Sequence, residues 1–200
     1  MTTFLLIRHA EYAGIGAALI GRTPGIHLDE RGQAQAQALA ARLGDLPIRA
    51  VYTSPLERAR ETALPLGQRL GVQLKVCWEL NEIDFGEWQG RAFAELGDQP
   101  RWQRWNAFRS GGIPPGGETM LAAQERIVQA IAACRQQHPH AAVALVSHSD
   151  MIKAALAYFL GMPLDLLGRL EIAPASASAL RIDDYGAQLL LLNHCGDIVL

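Results

Sequence analysis

Three short stretches of the chain place reactive side chains directly after an apolar run. They are Leu6-Ile7-Arg8-His9, Val51-Tyr52-Thr53-Ser54-Pro55 with Arg58 just beyond, and Leu145-Val146-Ser147-His148-Ser149. Ligands of open α/β sheets sit outside the carboxyl ends of the strands, so three such ends can share one crevice. Two arginines and two histidines would then converge. Guanidinium groups present planar pairs of donors that match phosphate oxygens, and they stay charged at any working pH. Helices opening after Ser54 and Ser149 would add positive N-terminal ends. A histidine beside a held phosphate becomes a nucleophile when its ring is neutral and one nitrogen is pinned. Phosphoryl transfer draws mostly on positioning and charge stabilisation, so no metal or other cofactor is called for.

Such chemistry needs a proton for the leaving oxygen. The stretch from Leu80 to Trp88 offers Glu82, Asp84 and Glu87. Glu82 lies nearest a preceding strand end and is the leading general-acid candidate, with Asp84 and Glu87 as competitors. Apolar Ile83, Phe85 and Trp88 supply the desolvation that raises a carboxyl pKa. Taken singly, each residue has a plainer reading. A histidine at a strand end is usually a satisfied structural group, a helical or loop arginine such as Arg58 or Arg22 is usually solvated, and His148 could simply cap a helix. Glu118 reads first as a helix-start residue favouring the dipole. His138-Pro139-His140 has a metal-like spacing but reads as the end of a helix.

The elements that must hold these groups alternate. Strands are predicted over residues 4–8, 50–53, 74–78 and 142–147, with helices over 28–43, 56–70, 100–109, 118–137 and 150–160. Asp29 can cap the first helix, whose Ala36, Leu39, Ala40 and Leu43 share a face. Pro55 suits the first turn of the second helix, and Pro65 should kink its later part. Residues 79–90 and 110–117 read as loops, and Gly161 as a helix stop. Two tail strands, 178–182 and 188–193, join through Asp184-Tyr185-Gly186 as an antiparallel hairpin. The alternation implies an α/β fold with a largely parallel sheet and an antiparallel edge.

Two hundred residues suffice for one domain with a sizeable core, and 1–200 is read as a single domain. A net charge of −2 argues against broad nucleic-acid or membrane-surface binding. The apolar run at the N-terminus is too short for a signal peptide, and no stretch approaches a membrane span, so a cytoplasmic location is expected. Cys77, Cys134 and Cys195 form no CxxC pair and are expected to be reduced, half-buried thiols.

These blocks together resemble the histidine phosphatase superfamily, also called phosphoglycerate-mutase-like, over nearly the whole chain. The carriers are Leu6-Ile7-Arg8-His9, Gly21-Arg22-Thr23, residues 28–34 and Tyr52 through Ala63. Further along come Leu80-Asn81-Glu82 through Gly90, Pro115 through Thr119, and Val146-Ser147-His148. One Arg-His pair means little, whereas seven blocks in family order are highly specific. The resemblance implies a three-layer α/β/α sandwich. It implies a phosphorylated nucleophile at His9, a phosphate pocket of Arg8, Arg58 and His148 with His148 as a cation, and Glu82 as proton donor and later base. Arg22 and Ser149 are carried over as substrate contacts. The chain departs from the family on the substrate side. Ala10 replaces a common Gly, Tyr12 replaces a Ser or Thr, and residues 13–16 lack the Asn usual in the mutases.

The reading that follows is a metal-independent phosphomonoester phosphatase acting on a small phosphorylated substrate. A phosphoglycerate-type mutase and a non-catalytic phospho-ligand binder are the alternatives. Chain length, the missing Asn and the Gly86-Glu87-Trp88 form of the acid loop weigh against the mutase, and the acid itself weighs against the binder. Neither a G-x-S-x-G elbow nor a phosphate-binding G-x-x-x-x-G-K-[ST] loop is present.

Overall fold

The computed structural model describes residues 1–196. Six strands form one sheet: β1 (Thr2–Arg8), β2 (Ile48–Thr53), β3 (Leu74–Val76), β4 (Ala142–Ser147), β5 (Ala177–Ile182) and β6 (Ala187–His194). Their spatial order is β3-β2-β4-β1-β5-β6. The first four run parallel, whereas β5 and β6 are antiparallel to their neighbours. The expected hairpin thus forms the antiparallel edge, and its inner strand pairs with β1.

Period-two alternation makes β1 buried on both faces. Phe4 and Leu6 enter one core, Leu5 and Ile7 the other. Helices α1 (Glu30–Leu43) and α2 (Glu57–Leu70) cover the second face with Leu39, Leu43, Ala59, Ala63 and Leu66. Truncating Leu39 or Leu43 to Ala would cost about 2–5 kcal/mol, the usual range for a buried leucine. The first face is covered by α5 (Met120–Gln137) and α6 (Ser149–Phe159). The result is the expected three-layer sandwich. Asp29 caps α1 by accepting from the Gly32 N–H at 2.8 Å. A Cβ at Gly32 would stand 1.9 Å from the Glu11 carbonyl, so only glycine lets α1 approach the segment that follows His9.

Several expectations needed adjustment. The third strand stops at Val76, and Trp78–Leu80 turns into a 3-10 helix. Pro55 precedes α2, whose N-cap is Leu56, and the helix runs through Pro65 to Leu70. Two short helices, α3 (Phe93–Gly97) and α4 (Pro100–Ala107), occupy the segment before the loop at 110. Glu118 lies outside α5, which Thr119 caps. Cys134 is buried, but Cys195 is exposed, and all three thiols are free. No helix among the described residues is long and apolar enough to cross a membrane.

Candidate active site

The three strand ends do meet. Backbone pairing continues past the strands and fixes the groups that follow. His9 N–H donates to the Ser147 carbonyl at 3.0 Å, and Ser54 N–H donates to the Val146 carbonyl at 2.9 Å. Side chains with short tethers to these anchors have little freedom left.

His9 is 4% exposed. Its Nδ1 lies 2.8 Å from the Ala10 carbonyl, which can only accept. Nδ1 therefore carries the hydrogen, and Nε2 keeps its lone pair. Burial, then the Arg58 charge, and also Arg8 hold the ring pKa well below the ordinary histidine value, against the Ala10 hydrogen bond. The ring is neutral at neutral pH. Ala10 is fully buried, and its N–H donates to Thr62 Oγ1 at 2.9 Å. Thr62 in turn donates to the Arg58 carbonyl at 2.7 Å, tying the His9 turn to α2.

Arg58 is 2% exposed, and one Nη2 donates to the Gly21 carbonyl at 2.7 Å. Its Nε and Nη1 are buried without a protein partner, as is the Arg8 Nε. The other end of Arg8 is tied down through Nη1 to the Ile172 carbonyl at 2.6 Å. Buried donors normally have acceptors, and three charged N–H groups without one form a socket for an anion. Arg8, His9, Arg58, Glu82, Ser149 and Asp150 are among the residues that line a cleft of about 200 Å³. Ser149 opens α6 there, where the helix dipole adds positive potential.

His148 is present but not as the expected cation. It is fully buried, and burial, followed by the Arg58 charge, drives its pKa well below the ordinary value. Its Nδ1 faces the Arg58 Nη2 at 3.3 Å and must accept, so Nε2–H donates to Ser54 Oγ at 2.8 Å. The ring is neutral at neutral pH. His148 also stacks at 5.1 Å from His9 in a tilted arrangement.

Glu82 Oε2 stands 3.8 Å from His148 Nδ1, with 14% of the Glu82 side chain exposed. Burial, then the Asp150 charge, pushes its carboxyl from 4.5 up to about 7, against Arg58, the Ile83 N–H and Arg126. Of the three carboxylates of the acid loop, it is the one that lines the cleft. Burial raises the Asp150 pKa, but the charge and hydrogen bond of Arg109, bound at 2.8 Å, together with the charges of Lys153 and Arg8, bring it below the ordinary value, so Asp150 stays ionised.

Arg22 is turned toward the acid loop and is absent from the cleft lining. Its Nε donates to the Glu82 carbonyl at 2.7 Å, and its Nη groups meet Glu118 at 2.8 Å and Asp84 at 3.4 Å. Glu118 is thus an ion-pair bridge, not a helix-dipole residue. Arg126 completes the network from α5. It donates to the Asn81 carbonyl at 2.7 Å, the Glu82 carbonyl at 3.0 Å and Glu118 Oε1 at 2.7 Å. Gly86 lets the loop close: its φ is +52°, and a Cβ would stand 2.1 Å from the Pro115 carbonyl.

Sequence reasoning passed over Arg126, Asp150 and Arg109. Arg126 carries no local signal, since a lone arginine in a long helix reads as solvated. Asp150 follows Ser147-His148-Ser149 directly, and that proximity to a strand end was the available signal. Trp102 and Trp105 pack against Trp88 at 5.3 and 6.3 Å. His138 ends α5 and hydrogen-bonds to Tyr52 at 2.9 Å. Among the described residues no cluster of three or more His, Cys, Asp or Glu could hold a metal.

A histidine with a free Nε2, two arginines and a protonatable carboxyl on this sheet define a class. Residues 4–194 match the family model of the histidine phosphatase superfamily (branch 1), and the chain belongs to that superfamily. It is 30% identical to the adenosylcobalamin/α-ribazole phosphatase of Escherichia coli over 94% of both chains. It is 28% identical to phosphoserine phosphatase 1 of Hydrogenobacter thermophilus, over 98% of this chain and 96% of that one. The crystal structure of α-ribazole phosphatase from Shigella flexneri superposes with a TM-score of 0.88 at 28% identity, covering 99% of both chains.

Proposed function

We propose that the protein is a phosphomonoester phosphatase that needs no metal ion and works through a phosphohistidine on His9. The observation that carries this reading is the set of buried, unpartnered guanidinium N–H groups of Arg8 and Arg58 beside a neutral His9 with its Nε2 lone pair free.

A substrate phosphate docks against Arg8, Arg58 and the N-terminus of α6 at Ser149. His9 Nε2 attacks phosphorus as the bond to the ester oxygen breaks. Glu82, protonated near neutral pH, gives its proton to the departing alkoxide. The charge arriving beside His148 raises that ring's affinity for a proton, taken up from solvent as the ester binds, and the resulting cation stabilises the equatorial oxygens. Water then attacks the phosphohistidine and passes a proton to the Glu82 carboxylate. The P–N bond breaks, and inorganic phosphate leaves. Arg22, Glu118 and Arg126 act on the reaction by positioning Glu82.

A soluble phosphoryl ester is the partner that this cleft suits. The weak net charge favours a small-molecule enzyme of the cytoplasm over a nucleic-acid or membrane binder. The test is an initial-rate screen in EDTA with p-nitrophenyl phosphate, run beside His9→Ala. Turnover that survives EDTA and vanishes in the variant is expected. Full activity in the variant would overturn the mechanism. Loss of wild-type activity in EDTA would overturn the metal-independent chemistry. Interconversion of 2- and 3-phosphoglycerate faster than their hydrolysis would favour the mutase reading instead.

A further inference from the structure

Beyond the phosphate socket, the cleft has a second composition. The remaining wall, left for the alcohol of an ester, is made by Ile15, Leu19, Ile20, Phe85 and Phe93 with small Ala18 among them, and the Tyr12 ring stands beside His9 and Arg58. This wall is built, not loose. Ala18 and Ala92 form an antiparallel bridge, and Leu19 exchanges backbone hydrogen bonds with Gly90 at 2.7 Å and Arg91 at 2.9 Å. Phe93 N–H donates to the Ala17 carbonyl at 3.0 Å, which holds the phenylalanine to the same segment.

Charge is distributed just as unevenly. Among the described residues, the cations lining the cleft are Arg8 and Arg58, and the socket uses both. Two arginines beyond it are ion-paired. Arg109 pairs with Asp150 at 2.8 Å, and Arg22 pairs with Glu118 at 2.8 Å. Lys153 acts on Asp150 at a distance but does not line the cleft. Asp150 itself does, next to Glu82. A carboxylate on the leaving alcohol would lose water against an apolar wall. Among the described residues lining the cleft it would find no cation beyond the two that hold the phosphate.

From this we infer that the site selects monoesters of neutral alcohols with an apolar body and rejects those whose alcohol carries a carboxylate beside the ester oxygen. The inference rests on the phosphatase reading given above. Two matched pairs of substrates test it on the intact protein. Phosphoglycolate and phosphoglycolamide differ in the carboxylate. Ethyl phosphate and 2-phenylethyl phosphate differ in the apolar body. The amide should exceed the acid in kcat/KM by at least about tenfold, as a carboxylate stripped of water with no cation to meet it is costly. The phenylethyl ester should exceed the ethyl ester by about tenfold or more, the scale of a hydrophobic pocket contact. In Phe93→Ala the phenylethyl-to-ethyl ratio should collapse toward one. Equal or inverted ratios, with clear turnover of all four esters, would overturn this inference and leave the phosphatase reading standing. No turnover of these esters or of p-nitrophenyl phosphate would overturn both.

Discussion

Replacing Glu82 by Gln should cost the protein its activity and shift its stability relative to the wild type upward between pH 5 and pH 8. The folded state holds the Glu82 carboxyl at about 7 instead of 4.5, first through burial and then through the Asp150 charge. Raising a carboxyl pKa from 4.5 to about 7 corresponds to about 3 kcal/mol of preference for the protonated form. The folded chain binds this proton more tightly than the unfolded chain does. Its contribution is therefore fully present below the unfolded value and is lost as pH rises through about 7. Between pH 5 and pH 8 the wild type should lose roughly 2.5 kcal/mol on this account. Gln has the same shape and does not titrate, so any fixed cost of the amide is the same at both pH values. His9 and His148 have depressed pKa values and make stability rise with pH, but both proteins share them. Urea unfolding of wild type and Glu82→Gln at pH 5 and pH 8 reads the difference directly. The gap between them should move by 2–3 kcal/mol, as an order of magnitude, in favour of the variant at pH 8. A gap that does not change with pH would refute the assignment of a buried, proton-holding carboxyl at position 82.

The same groups set the other expectations. The pH profile of kcat/KM should fall on the alkaline side near pH 7 as Glu82 loses its proton, and on the acid side well below pH 6.5 as His9 gains one. Asp150→Asn should move the alkaline limb to lower pH, because the second cause of the raised Glu82 value is gone, and a full pH-rate profile would read the shift. Arg58→Ala removes two of the unpartnered buried donors and should lower kcat/KM by about 10²–10³, measured by steady-state kinetics. Arg126→Met takes away the hydrogen bonds to the Asn81 and Glu82 carbonyls and to Glu118 that hold the acid loop. It should slow esters with poor leaving groups far more than p-nitrophenyl phosphate, whose phenolate hardly needs the acid, and an equal loss on both would refute a positioning role.

Much of the fold was legible because its signals are local. The apolar run over β1, the cap at Asp29 with the apolar face of α1, and the Gly161 stop each depend on a few neighbouring residues, and the structure places them where the pattern does. The segment from 93 to 107 was only half legible, since α3 is five residues long and lacks a side-chain cap. Its helical state comes from packing, as Leu96 and Trp105 are buried among Phe85 and Trp88. The third strand ended early for a similar reason: Leu80 is drawn into the core through a 3-10 turn.

For the site, the residue types and their order along the chain were enough to nominate His9, Arg8, Arg58, His148 and Glu82, because each follows a strand or opens a helix whose pattern is written in its own neighbourhood. Protonation was not legible. The neutral state of His148 arises from complete burial beside Arg58, ninety positions away in the chain. Arg22 and Glu118 could be noticed in sequence, but their partnership with Arg126 required α5 to lie against the acid loop. Sequence by itself determined which chemical groups were available and which strand ends would carry them, since hydrophobic periodicity and capping act over a few residues. Tertiary structure alone decided which of those groups are charged, which are free for a ligand and which are spent on one another, since desolvation and Coulomb forces depend on distances that only packing sets.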